Sequence, residues 1–423
     1  MQKESGAFGN NRKRICLLGM EAWGGLAQIP YALLRALELA SLDLDIYFIT
    51  LRSPETEKMY QASLFTSGRV KVLFTEYETD LGKKIRRLLF YVYNPLYHFR
   101  CARLIKKINP DIVHYTTGSV IEVLTAAFFN PDIKAKILTI HDPSPHHEAN
   151  IPPLKRINNR IYHLIRKTCL KRIPYFHVNA RSHIPEASAT FNIPQSRIFS
   201  THMVSNVVED FTDHKTPAGT PPCWPPELDG LKRNTVKILF FGRIRSYKGV
   251  EYLIQAADRL LRSGSEVQLI LAGEGQIYCD CSSIRDNLVL INRYISNAEV
   301  STIFTASDVV VLPYTGASQT GVISIAYFHS RPVIGTRVGG IPELIEDGKT
   351  GFVVRPKDSL ALEEKIRSLV EHRETIKEMG KAARGYYDSH YSPEALSREL
   401  LHIYLHMGRK KDDHEGEKTY EYK

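Results

Sequence analysis

The chain has no uninterrupted apolar run near the roughly 18 residues that a membrane-spanning helix needs. It is also poor in cysteine and tryptophan, with six and two among 423 residues. Six cysteines over this length do not make a disulfide framework. The one close pair, Cys279 and Cys281, has no second ligand pair at metal-binding spacing, so reduced thiols are expected. His146-His147-Glu148 lacks the H-E-x-x-H spacing that sets two imidazoles on one helix face, and no metal is expected. Low-complexity tracts are absent. The first 14 residues are polar and the apolar run after them (15–20) is short, which is not the layout of a secretory signal, so a cytoplasmic protein is expected. Nor does any nucleic-acid recognition motif accompany the basic stretches; no nucleic-acid partner is expected.

What is present is an ordinary globular composition, 43% hydrophobic and 24% charged, in a chain too long for one core, so two domains are expected. The net charge of +10 is unevenly placed. Residues 1–235 carry all of it and residues 236–423 balance to zero; within the first half, residues 82–172 hold 17 basic and 5 acidic side chains. Two stretches there, 83–93 and 154–167, mix cations with aliphatic and aromatic residues at helical spacing. They suit either a helix lying on an anionic lipid surface or an ordinary helix with a solvated basic face.

Strand patterns at 14–19, 45–50, 70–74, 111–116, 136–140, 175–179 and 198–204 alternate with helical patterns. That alternation predicts a parallel sheet covered on both faces. Five prolines in 211–227 interrupt it. The alternation restarts with strands at 237–242, 267–272, 288–292, 309–312, 332–336 and 352–354, and the chain's last helix spans about 393–409. The expected domains are therefore 1–210, completed by that helix, a linker at 211–235, a second domain at 236–392, and a charged tail at 410–423. Two such domains leave a cleft between their strand C-terminal edges, where ligands bind.

The most informative stretch is 315–348, TGASQTGVISIAYFHSRPVIGTRVGGIPELIEDG. Ser318, Gln319, Thr320 and Gly321 lie where a buried strand hands over to a helix N-terminus. Free backbone N–H groups and the helix dipole there favour an anion, and Gly321 permits close approach. An ordinary strand-to-helix connection is the alternative. Arg243 and Lys248 follow the 237–242 strand in Gly242-Arg-Ile-Arg-Ser-Tyr-Lys-Gly249, a placement that suits a diphosphate or, less specifically, a solvated loop. Gly273-Glu-Gly275 follows the next strand. His141 ends a first-domain strand facing the cleft, placed for a sugar hydroxyl, for proton transfer or for a structural hydrogen bond. Asp43-Leu-Asp45 precedes its strand and so lies at the edge away from the cleft.

Taken together, Phe241-Gly-Arg-Ile, Lys248-Gly249, Leu271-Ala-Gly-Glu-Gly275, Ala306-Ser-Asp-Val-Val-Val-Leu-Pro313, Arg331-Pro-Val-Ile-Gly-Thr-Arg-Val-Gly-Gly-Ile-Pro-Glu343 and Gly348-Lys-Thr-Gly-Phe352 resemble the donor-binding half of glycosyltransferase family 4, in order and spacing. The first domain resembles the family more loosely, through Gly24-Gly25, Pro110-Asp-Ile-Val-His114 and Thr139-Ile-His-Asp142. The resemblance implies a GT-B fold, α/β with two Rossmann-like parallel-sheet domains facing each other across a cleft, and sugar transfer with retention. It implies that Arg243 and Lys248 neutralise the donor pyrophosphate and that backbone near Thr320, Gly321 and Val322 cradles its phosphates. It further implies that Gly242 and Gly273 belong to the donor site, that backbone near Tyr294 meets the base, that Gly25 lets the first-domain loop approach, and that His141 lies near the transferred sugar. No metal or cofactor is implied beyond the nucleotide sugar. The family's two glutamates eight residues apart fall here on Ala317 and Ile325, with Ser318 and Gln319 as polar substitutes in a variant A-S-Q-T-G-V form. The expected activity is hexose transfer from a nucleotide diphosphate sugar to a glycolipid or surface-polysaccharide acceptor, by a protein peripherally associated with the inner face of the membrane. A nucleotide-sugar epimerase and a non-catalytic GT-B scaffold are the alternatives.

Overall fold

The computed structural model describes residues 12–20, 28–40, 43–60, 65, 67–75, 95–130, 132, 133, 135–141, 143, 166–202, 223–316 and 320–407. The first sheet contains β1 (Lys13–Gly19), β2 (Leu44–Leu51), β3 (Val70–Thr75), β4 (Ile112–Tyr115), β5 (Lys136–Thr139), β6 (Tyr175–Val178) and β7 (Ile198–Ser200). Its spatial order is β3-β2-β1-β4-β5-β6-β7. The second contains β8 (Val236–Phe241), β9 (Val267–Ala272), β10 (Leu288–Ile291), β11 (Val309–Leu312), β12 (Val333–Thr336) and β13 (Gly351–Val354), ordered β10-β9-β8-β11-β12-β13. All the strand pairs are parallel. Helices cover both faces, which is why the central strands read as apolar runs rather than alternating ones. β9, for instance, is buried at every position.

Each sheet reverses its order at one point, between β1 and β4 in the first and between β8 and β11 in the second. The crevice outside the carboxyl ends of strands at such a reversal is where ligands bind in open parallel sheets. Both reversals open toward loops singled out by the sequence: that after β1 in the first domain, and those after β8 and β11 in the second.

Helix Val250–Arg262 buries Val250, Leu253, Ile254, Ala257 and Leu260 against the second sheet, as the spacing predicted, while Leu261 lies half-buried at the margin. Helix Pro393–Met407 returns to the first domain, where it packs on helix Gln28–Glu38. Its Tyr404 hydroxyl reaches His114 Nδ1 on β4 at 2.8 Å. Glu399 accepts from the His202 backbone N–H and meets His202 Nδ1 at 3.0 Å. One bidentate contact from the second domain body joins this helix in tying the halves together. The Glu343 carboxylate accepts from the backbone N–H groups of Arg181 (3.1 Å) and Ser182 (2.6 Å), ahead of helix His183–Phe191.

The proline-rich stretch differs from the expected linker. Residues 211–222 lie outside the described residues, but Pro226–Gly230 forms a 3-10 turn whose Leu228 is buried. Gln268 on β9 donates to the Gly230 carbonyl and accepts from Lys232 N–H, both at 2.8 Å. The second domain body therefore begins ahead of 236, because a buried glutamine satisfies the backbone of a turn that proline permits. The expected charged tail, 410–423, lies outside the described residues.

Candidate functional site

In the second domain, the loop after β8 is held from two sides. Ile244 N–H donates to the Glu274 carbonyl at 2.9 Å, and Gly242 N–H to that of Ala272 at 2.9 Å. On the other side, the Tyr247 carbonyl accepts from Thr315 N–H (2.8 Å) and Thr315 Oγ1 (3.3 Å) in the loop after β11. Gly249 has φ +62°, and a Cβ there would lie 2.0 Å from the Pro313 carbonyl oxygen, so only glycine lets these loops meet. Gly273 has φ +143° and leaves no room beside the Gly242 carbonyl.

This clamp presents Arg243, exposed, and Lys248, half-buried, at the β8/β11 reversal. Among the described residues neither is paired with a carboxylate, although Arg259, Arg293 and Arg373 all are. The Lys248 ammonium instead rests over the ring of buried Tyr314, with Nζ 3.6 Å from the centroid. The Tyr314 hydroxyl lies 3.4 Å from Oγ1 of buried Thr320, which accepts from Val322 N–H at 3.3 Å. Helix Val322–Phe328 starts there, after Gly321, which offers no side-chain cap of its own. Lys248 is thus linked through Tyr314 to a helix start, and Arg243 lies on the same loop, an arrangement suited to a phosphate-bearing ligand.

Gly242, Arg243, Lys248, Gly273, Thr320, Gly321 and Val322 thus share one sheet edge. Tyr294 follows β10 at that edge, 74% exposed, and its carbonyl accepts from Arg293 Nη1 at 3.3 Å. Ser318, Gln319 and Ala317 lie outside the described residues, as does Gly25. Ile325 is described: it is 5% exposed and belongs to the apolar core.

In the first domain, His141 is buried with both ring nitrogens engaged. Asn179 Nδ2 lies 2.8 Å from Nδ1 and donates to it, so Nε2 carries the proton and donates to the Thr116 carbonyl at 3.0 Å. While those bonds hold, neither nitrogen is available to a sugar. Beside it, Glu122 was not marked out by the sequence reading. Fully buried, its carboxylate accepts from the backbone N–H groups of Met20, Thr117 and Gly118 (2.8–3.0 Å) and from the Thr117 hydroxyl. One side chain thereby fixes the ends of β1 and β4 at the first reversal. Burial pushes its carboxyl up to about 7, against the hydrogen bonds that favour the ionised form. A lone acid in the apolar segment 120–129 was the available signal. Tyr314 and Glu343 were also missed, since their partners lie on loops distant in sequence. Asp43 and Asp45 pair with Arg12 at the opposite sheet edge (2.7 and 3.6 Å), where the sequence put them. Cys279 and Cys281 are free thiols. The basic stretch 83–93 and most of 154–167 lie outside the described residues.

Residues 235–372, which lie in the second domain, match the family model described as Glycosyl transferases group 1. An alpha-D-kanosaminyltransferase from Streptomyces kanamyceticus is 32% identical over 177 residues, covering 40% of this chain and 46% of that protein. The chain thus spans about half the length of the curated relatives it matches. Among solved structures, a glycosyltransferase from Rickettsia africae ESF-5 aligns with TM-score 0.61 and 19% identity, covering 94% of this chain and 99% of that one. An Anabaena protein in complex with UDP aligns with TM-score 0.65 and 14% identity, covering 92% and 99%. These alignments run through both domains and establish the GT-B fold expected from the sequence.

Proposed function

We propose that this protein is a retaining glycosyltransferase that moves a hexose from a nucleotide diphosphate sugar to a glycolipid or surface-polysaccharide acceptor at the cytosolic face of a membrane. The observation that carries the reading is the pair Arg243 and Lys248, clamped and uncompensated beside Thr320–Val322 at the reversal of the second sheet. Both cations oppose the charge that grows on the diphosphate as the sugar bond breaks, so they act more strongly in the transition state than in the bound donor. Gly242 and Gly273 keep that edge open, and backbone beside Tyr294 meets the base. The UDP in the Anabaena neighbour makes a uridine nucleotide the first donor to try. Ser318 and Gln319 stand in for the sugar and ribose contacts that Ala317 and Ile325 cannot make. His141 and Asn179 form the opposite wall of the cleft, with His141 close to the sugar. No metal or further cofactor takes part.

The membrane and acceptor part of the proposal rests on a patch on the first domain. Helix Pro95–Ile108 carries no acid and exposes Phe99, Arg103, Lys106 and Lys107. Phe99 stacks edge-on against Phe129 at 5.0 Å, and Arg172 lies over exposed Phe128 at 4.3 Å. Exposed aromatics ringed by cations suit an anionic lipid surface. No described helix is long and apolar enough to cross a membrane.

The test is a thermal-shift panel of UDP, GDP, ADP and their sugars on the wild type and Lys248→Ala. Ligand binding to the folded state raises the melting temperature without any acceptor. A shift with one nucleotide, lost in K248A, supports the donor site. No shift with any of them returns the reading to a non-catalytic scaffold.

A further inference from the structure

We infer that Tyr314 is a positioning residue of the phosphate site, holding the Lys248 ammonium on its ring face and linking it to Thr320. The inference rests on the donor-site reading for its consequence, but the contact itself is independent of any ligand. Lysine is a flexible point charge, and an unpaired one on a loop samples many rotamers. Here Nζ sits 3.6 Å from the Tyr314 centroid and 5.3 Å from that of Tyr247. The Tyr314 ring is fully buried and cannot follow a moving lysine. Its backbone is fixed too, since Thr336 Oγ1 donates to the Tyr314 carbonyl at 2.6 Å. At the other end of the ring, the hydroxyl meets Thr320 Oγ1. A single aromatic side chain therefore spans the loops after β8 and β11, setting the distance between the cation and the helix start.

An aromatic face suits this task better than a carboxylate. A cation on a ring keeps an attractive partner and remains uncompensated, so an incoming phosphate need not displace a competing anion. A carboxylate in the same place would neutralise the ammonium and repel the ligand.

Two readouts separate this role from general support of the fold. The first needs no ligand: in 13C-lysine-labelled protein, the Lys248 ε-methylene resonances, assigned by their loss in Lys248→Ala, should be shifted upfield by the ring. That shift should persist in Tyr314→Phe and vanish in Tyr314→Leu. The second is titration calorimetry with the nucleoside diphosphate that the wild type selects from UDP, GDP and ADP. Tyr314→Leu should weaken binding about tenfold, a ring contact's worth, with Tyr314→Phe between it and wild type. In a double-mutant cycle, Tyr314→Leu should add little to the loss already caused by Lys248→Ala. Absence of the upfield shift, or fully additive losses, overturns the inference. If the wild type binds none of the three nucleotides, the donor reading fails, and the resonance shift alone decides the role of Tyr314.

Discussion

Arg243 and Lys248 have no carboxylate partner among the described residues, unlike Arg259, Arg293 and Arg373. Arg293, between Glu227 and Glu299, holds the Glu299 carboxyl down at about 2 and is fully committed to the fold. Arg243 and Lys248 lie in the loop after β8, where the sequence pattern put them, because loop position after a strand is a local property. That pattern did not find Tyr314, whose role depends on an approach between two loops. Nor did it find Glu122, which reads as one acid in an apolar segment until three backbone N–H donors converge on it. Glu122→Leu removes the acceptor those three N–H groups share and should cost about 3 kcal/mol or more, with a smaller loss in Glu122→Gln. Chemical denaturation of the two variants against wild type measures this directly.

At the scale of elements, the order of strands and helices was legible throughout, because a sheet buried on both faces needs apolar runs of strand length. Boundaries moved where turn chemistry intervened. Strand 198–204 ends at Ser200, and the proline-rich stretch contributes a packed turn. The return of helix Pro393–Met407 was expected, but its anchoring was not. Tyr404, His114, Thr139, His177 and Thr201 form one buried hydrogen-bonded chain, with steps of 2.8, 2.8, 3.1 and 2.9 Å. Among the described residues, Tyr404 meets His114 alone, so its hydroxyl donates to Nδ1. His114 Nε2–H then donates to Thr139, Thr139 to His177 Nδ1, and His177 Nε2–H to Thr201. Every group is satisfied in that one direction. Tyr404→Phe removes the first donor and leaves a buried acceptor, for an expected loss of about 1–3 kcal/mol. A lowered denaturant midpoint with an unchanged slope would show it.

For the whole molecule, the buried histidines set the acid limit. Burial holds His98 and His329 at about 4, His177 at about 3 and His114 well below its ordinary value. Below about 6.5 the unfolded chain takes up protons that the folded one refuses, so stability falls as pH drops. Each histidine contributes at most about 1.4 kcal/mol per pH unit. Glu122 runs the other way: raised to about 7, it favours the fold at low pH and loses that contribution as pH rises through 7. Four such histidines against one carboxyl predict a melting temperature that declines from pH 6.5 toward 4, which calorimetry across that range checks. The patch around Phe99, Phe128, Arg103 and Lys107 predicts sedimentation with anionic but not neutral vesicles. That binding should weaken with salt and fall in Arg103→Glu/Lys107→Glu; equal binding to neutral vesicles would remove the membrane reading.

In the proposed reaction the clamped cations stabilise a departing nucleoside diphosphate. The most direct measurement of this role is the release of that nucleoside diphosphate from the donor that wild type binds, in Arg243→Ala beside wild type, with glycolipid-containing vesicles as acceptor. The rate in Arg243→Ala should be about 10²–10³-fold lower, with the melting temperature of the unliganded protein unchanged. An Arg243→Ala protein that releases the diphosphate at the wild-type rate would contradict that role.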